Sequence, residues 1–208
     1  VQVGTGERIV WIIHRQHPGE TMAEYYAEGL LKRLLGPHVD GNVRKALLFF
    51  TFYIVPCMCP DGAVHGYLRT NAIGSNLNRE WASPLNNDDY KAPTLQRSPE
   101  VYHVLNYMKE TGCDFFLDVH GDEELPFNFL AGAELSNNWG DRLRILHGAF
   151  AEYYQQSNSD MQKKIGYEPA VDVAATNIAN KAVSNLFDCL SITLEMPFKD
   201  CLTNPDPE

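Results

Sequence analysis

Apolar positions along this chain follow two rhythms that alternate from end to end. In RIVWIIH, Arg8 to His14, every residue between the first and last is apolar, as in a strand covered on both faces. Residues 21 to 35 change period: Met22, Tyr26, Leu30 and Leu34 recur every four positions, which predicts a helix ending at Gly36-Pro37. KALLFFTFYIVP, residues 45 to 56, predicts a second buried strand from its aromatic and β-branched content. Residues 57 to 97 hold no period and are rich in Asn, Gly, Pro and Asp; a loop this long inside a compact domain is usually functional. SPEVYHVLNYMKETG restores a helix, with Ser98 as cap, Pro99 at the first position and Gly112 as stop. CDFFLDVHG, FNFLAG and CLSITLEMPF predict three further strands, and residues 136 to 157 and 174 to 186 two further helices. Strands alternating with helices predict an α/β fold: a mixed, mostly parallel sheet flanked by helices, in one domain over residues 1–208.

Composition narrows the function classes. The chain is 44% hydrophobic and 21% charged, the profile of a globular protein that folds without disulfide or metal staples. No apolar run approaches the ~20 residues of a membrane span. The net charge of −10 argues against a nucleic-acid partner, which needs a basic patch. The five cysteines, Cys57, Cys59, Cys113, Cys189 and Cys201, are odd in number and form no disulfide framework. Cys113 and Cys189 lie in apolar segments and read as reduced core residues, so the expected compartment is the cytoplasm. Cys57 and Cys59 have the spacing of a soft metal pair, but no second pair joins them. The opening VQVGTGERIV has no basic region of a signal peptide and no Met.

In open α/β sheets, ligands sit beyond the carboxyl ends of the strands. His17 follows the first predicted strand, His120 ends the third and Glu195 lies near the end of the last. His17 and Glu20, separated by Pro18 and Gly19 at a tight corner, can converge on one ion; the same pair also fits an ordinary surface contact. A catalytic zinc takes three protein ligands and keeps one position open, and His120 is a candidate third, although a lone strand-end His is equally compatible with a structural role. Glu195 places a carboxylate inside an apolar strand, where an unpaired charge is costly. It reads either as the partner of a buried Arg or as a general base whose pKa is tuned by burial. Arg69, Asn78 and Arg79 crowd eleven residues of the long loop. An Arg fork beside an amide is natural equipment for binding a carboxylate, or for holding a loop through its own backbone.

Five stretches in order, HPGE (17–20), PDG (60–62), YLRTNAIGSNLNREW (67–81), DVHG (118–121) and TLEMPF (193–198), resemble the zinc metallocarboxypeptidases, and among them the cytosolic carboxypeptidase branch. They cover nearly the whole chain. The resemblance implies one zinc per chain on His17, Glu20 and His120. It implies Glu195 as the base that activates water, Arg69 as stabiliser of the oxyanion, and Asn78 with Arg79 as the grip on the terminal carboxylate of a peptide or protein substrate. Asn76 stands where many relatives carry an Asp that orients the first His, and Cys59 stands where they carry an Asn. The branch is associated with removing acidic residues; between residues 165 and 195 the one Lys or Arg is Lys181, the expected cation of such a pocket. Relatives also have strands and a helix before the first ligand, a helix after the catalytic Glu, and in the cytosolic branch a preceding β-sandwich, so this chain is expected to be a fragment of a longer one. An acylase of N-acyl amino acids on the same scaffold and a non-catalytic peptide-binding module remain alternatives. Oligomeric state is not legible.

Overall fold

The two rhythms become a three-layer α/β/α arrangement in the computed structural model, which describes residues 1–37, 40–81, 91–168 and 176–206. Its strands are β1 (Gln2–Val3), β2 (Arg8–His14), β3 (Phe50–Val55), β4 (Phe115–Asp122), β5 (Phe129–Ala131) and β6 (Leu190–Pro197), in the sheet order β1-β3-β2-β4-β6-β5. The four inner strands run parallel, while β1 and β5 close the edges antiparallel. Both edges are only two or three residues long, which leaves little ladder open to unwanted pairing. The helices are α1 (Met22–Leu35), α2 (Gly41–Phe49), α3 (Pro60–His65), α4 (Pro99–Thr111), α5 (Asp141–Ser157) and α6 (Ala179–Phe187), with a 3₁₀ turn at Leu77–Arg79. Among the described residues, no helix is long and apolar enough to cross a membrane.

Strand alternation explains the layers. Trp11 and Ile13 of β2 and Phe116 of β4 join Val101, Leu105 and Met108 of α4 and Ala182 and Val183 of α6. Val10 and Ile12, Leu117 and Val119, and Ile192 and Leu194 face the other way, onto Ala23, Tyr26 and Leu30 of α1 and Phe150 and Tyr154 of α5. Successive side chains on a strand point to opposite faces, so a sheet covered on both sides requires the unbroken apolar runs seen in the sequence. Two strands depart from that rule. Asp118 and His120 share the parity of Phe116 on β4, and Ser191, Thr193 and Glu195 alternate with Leu190, Ile192 and Leu194 on β6; all five polar residues are buried. The polar rows lie side by side, with Asp118 opposite Thr193 and His120 opposite Glu195.

Several elements differ from the sequence expectation. KALLFFTFYIVP is not one strand: its first half belongs to α2, and β3 begins only at Phe50. Asp40 supplies the missing start signal, its carboxylate accepting from the backbone N–H of Asn42 and Val43, and Lys45, Ala46 and Leu47 are good helix formers. The long loop contains α3, started by Pro60, and the 3₁₀ turn; its residues 82–90 lie outside the described residues. Ser98 stands at the N-cap of α4 as expected, but its hydroxyl donates to Glu80 Oε2 at 3.1 Å and makes no hydrogen bond to the helix. Helix α5 starts at Asp141 rather than 136 and α6 at Ala179 rather than 174, residues 174 and 175 being outside the described residues. A two-residue edge strand, β1, precedes β2 in the chain and pairs with β3. All five cysteines are free. Cys59, in place of the expected Asn, is fully buried with Sγ 3.7 Å from the Thr70 carbonyl, so it packs the start of α3 against the loop.

Candidate metal centre

The chain leaves β2 through a turn that the sequence builds from Arg15 to Glu20. Arg15 adopts a left-handed φ of 56°, its Nε donates to the Pro18 carbonyl at 2.8 Å, and its guanidinium pairs with Glu24. Gly19 N–H donates to Leu68 O at 2.8 Å, and a Cβ there would lie 2.7 Å from the Leu68 side chain. Glycine at this corner therefore lets the turn press against the loop. The turn directs His17 and Glu20 toward His120 at the end of β4. Ligand atoms of these three buried residues all lie within 4.8 Å of one another. His17 Nδ1 is 2.5 Å from Glu20 Oε1, and His120 Nδ1 is 2.8 Å from Glu20 Oε2.

The outward contacts fix the imidazole tautomers. Asn76 Oδ1 accepts from the backbone N–H of Asn78 at 3.0 Å, so it is an acceptor toward His17 Nε2, also 3.0 Å away. Asp118 Oδ2 lies 2.8 Å from His120 Nε2 and can only accept when ionised. In the neutral ring each Nε2 then carries the hydrogen, and each Nδ1 presents a lone pair to Glu20. Two lone pairs facing one buried carboxylate repel unless a cation lies among them. Nitrogen, oxygen and nitrogen donors, with their far sides hydrogen-bonded, are a donor set that zinc favours. The residues present fit such an ion.

The neighbouring carboxylates draw positive charge to the same place. Burial lowers the His17 pKa, opposed by the Glu20 hydrogen bond. Burial acts the same way on His120, but Asp118 and Glu20 outweigh it and raise that pKa well above the usual value. Burial pushes Glu20 up, yet the two imidazoles bring it down to about 2.

Glu195 stands beside His120 across the β4/β6 ladder. Burial first, helped by the Glu20 and Asp118 charges against His120 and the Tyr167 hydrogen bond, raises its pKa to about 7. Its two oxygens differ. Oε1 is 3.0 Å from the Tyr167 hydroxyl, which also reaches Asp122 Oδ2 at 2.8 Å, whereas Oε2 is buried with no hydrogen-bond partner. Among the hydrogen bonds and ion pairs described, the partner of Glu195 is the Tyr167 hydroxyl.

His17, Glu20, His120, Glu195, Arg69, Asn78, Arg79 and Lys181 all line one cleft. Arg69 and Arg79 are exposed on its loop wall, and the Arg69 charge reaches His17. Arg79 Nη1 donates to the Asn78 carbonyl at 2.8 Å. Asn78 is buried and already engaged: its Oδ1 accepts from the Ala179 N–H at 2.9 Å, at the start of α6, and its Nδ2 lies 3.4 Å from His120 Nε2. Lys181 is half-buried; burial lowers its pKa against the opposing charge of Glu134. Four residues of this site escaped the sequence reading: Asp118, Gln16, Tyr167 and Asp122. For Asp118 a signal existed, since the i, i+2 spacing of DVH on a strand puts both side chains on one face.

Known proteins resemble this chain over most of its length. A family model described as zinc carboxypeptidase matches residues 2–205. An uncharacterised protein of Zymomonas mobilis is 44% identical over 209 residues, covering 98% of this chain and 51% of the relative. A cytosolic carboxypeptidase-like protein of Rattus norvegicus is 39% identical over 144 residues, 68% of this chain and 17% of that protein. The solved metallo-carboxypeptidase of Pseudomonas aeruginosa, in complex with (2-guanidinoethylmercapto)succinic acid, superposes with a TM-score of 0.89 at 42% identity, covering 99% of this chain and 53% of that one. The chain thus spans about half the length of these bacterial relatives.

Proposed function

This chain belongs to the zinc carboxypeptidase family, and from that premise we propose that residues 1–208 form a catalytic unit that removes C-terminal residues from peptides or proteins. The observation that carries the proposal is the pairing of a convergent His17, Glu20, His120 donor set with Glu195 in register beside it. One zinc ion held by those three side chains would polarise the scissile carbonyl and acidify a water molecule. Glu195 takes the proton from the attacking water on Oε2 and returns it to the leaving amine; Tyr167, holding Oε1, keeps that carboxylate aimed. A pKa of about 7 suits both tasks, because the group exchanges a proton near neutral pH. Arg69 faces the negative charge that develops on the carbonyl oxygen. Arg79 offers its fork to the terminal carboxylate, with Asn78 anchoring the loop that presents it. An internal peptide bond has no such carboxylate, so the enzyme acts from chain ends. The Pseudomonas relative's ligand, a succinic acid derivative, is in keeping with a cleft that grips carboxylates.

Side-chain preference follows from Lys181. Its place on the cleft wall and its half-burial favour acidic C-terminal residues, with Glu134 nearby muting the charge. Five free cysteines and a relative named as cytosolic support a cytoplasmic site of action.

The test compares three substrates on the full chain: a peptide with a free C-terminus, its C-terminal amide and an N-acyl amino acid. Release of the last residue from the free peptide alone, abolished by a chelator and restored by zinc, is the expected result. Faster turnover of the N-acyl amino acid would make the protein an acylase, and peptide binding without turnover would make it a binding module.

A further inference from the structure

The two histidines of the donor set have unequal outer partners. His17 leans on Asn76, a neutral amide that is only half-buried and also caps the 3₁₀ turn. His120 leans on Asp118, a carboxylate with no exposure at all. Asp118 is itself held: Gln16 Nε2 donates to the same Oδ2 at 2.7 Å, and Gln16 Oε1 accepts from the Trp81 indole N–H at 2.7 Å. Gln16 and Trp81 are fully buried as well. The chain Trp81, Gln16, Asp118, His120 therefore joins the loop, the turn after β2 and the floor of the cleft in one row of hydrogen bonds.

This row is expensive to keep. Asp118 Oδ1 is buried without a hydrogen-bond partner, and a half-satisfied buried carboxylate destabilises the fold. A local rule broken in the core without a structural return points to a functional one. The position supplies it: Asp118 precedes His120 by two on β4, so strand geometry alone aims its carboxylate along the imidazole.

We propose that Asp118, fixed by Gln16 and Trp81, is the positioning residue that sets the metal affinity of the site by orienting and charging His120, a role that neutral Asn76 does not fill for His17. The proposal rests on the reading of His17, Glu20 and His120 as metal ligands. A carboxylate behind a ligating imidazole makes it a stronger donor and locks its tautomer, and removing such partners costs about 10- to 100-fold in metal affinity. Here the charge lies behind the second histidine in the sequence instead of the first.

Zinc competition against a fluorescent chelator, on metal-stripped full chain, tests this. Asp118→Asn should bind zinc about 10- to 100-fold more weakly, while Asn76→Ala should lose less. Gln16→Met, which keeps the volume and breaks its contacts to Trp81, Asp118 and His120, should give a smaller loss than Asp118→Asn and covers the case in which that variant does not fold. Thermal melts of the stripped forms separate positioning from simple support: a merely structural Asp118 would lower the melting temperature and leave zinc affinity at the wild-type value, which overturns the proposal. A greater loss in Asn76→Ala than in Asp118→Asn overturns it too. If instead His17→Ala and wild type bind zinc equally, the ligand assignment itself is wrong and the proposal falls with it.

Discussion

The floor of the cleft and its loop wall are built by different means. On the floor, His120 and Glu195 sit at paired positions of two parallel strands and are almost fully buried. Their separation is set by the sheet ladder, so little entropy remains to be lost when they act. On the wall, Arg69 and Arg79 are exposed and ride on a segment whose described residues hold one six-residue helix and a three-residue turn. That wall is nonetheless stitched down. Asn177 donates to the Arg79 carbonyl at 3.2 Å, Trp81 N–H donates to Asn177 O at 3.2 Å, and Glu80 pairs with Arg97 at 2.5 Å. A rigid floor and a pinned but solvated wall hold their side chains by different means: the floor by the strand ladder, the wall by side-chain and backbone contacts across the loop.

Breaking the floor should have the largest effect. Glu195→Gln is expected to lower kcat by about 10²- to 10⁴-fold, the usual worth of a general base, with zinc and peptide affinity retained. Normal turnover in that variant would place the base elsewhere. The same substitution reads the floor through stability. Glu195 is buried with its pKa raised to about 7 from 4.5, so the folded protein holds that proton more tightly than the unfolded chain does. This contribution is fully present below the unfolded value of 4.5 and is lost as pH rises through about 7. Chelator-treated Glu195→Gln should therefore gain on wild type by on the order of 3 kcal/mol between pH 4 and pH 8. Urea unfolding that shows parallel pH profiles for the two proteins would contradict the burial argument.

The wall should separate into two kinetic signatures. Arg69→Ala is expected to lower kcat by about a hundredfold, because its partner charge exists only in the transition state. Arg79→Ala should instead raise KM by about 10- to 100-fold, the cost of a lost charge-assisted contact, with kcat less affected. Steady-state kinetics on one peptide sharpens the comparison, and interchanged signatures would mean that the two arginines exchange roles. The smallest effect belongs to Lys181. With Glu134 opposing it in a half-open site, Lys181→Ala should reduce the preference for a C-terminal Glu over Leu by no more than about tenfold. A peptide panel varying only the last residue measures it, and a preference for basic ends in the wild type would reject the acidic pocket.

The same contrast explains what was legible in the sequence. The floor was readable because strand endings concentrate chemistry: His120 and Glu195 stand out against apolar runs, and the His17–Glu20 corner announces itself through Pro18 and Gly19. Strands β2, β4 and β6 and helices α1 and α4 were readable for the same reason, since burial on fixed faces imposes a strict period. Helix α2 was hidden because its exposed Leu48 and Phe49 run into Phe50 of β3, so that apolar content outvoted the Asp40 cap. The outer partners were hidden for a different reason. Nothing local marks Gln16 as the link between Trp81 and Asp118, because those contacts span 65 and 102 residues of sequence and exist only after the sheet forms. Tyr167, 28 residues before Glu195, belongs to the same class.

Sheet order also dictates when the site becomes competent. Strand β6 is synthesised after β4 and β5, yet it lies between them. Its pairing with β4 and β5 joins segments distant in sequence, and long-range pairing of this kind is slow to form. The three side chains proposed to bind metal are all translated by residue 120, whereas the carboxylate proposed to move the proton arrives with residue 195. During its own biogenesis the chain therefore holds a complete donor set without a base. On the proposed reading, the pairing of β6 with β4 brings the base beside His120 and completes the site.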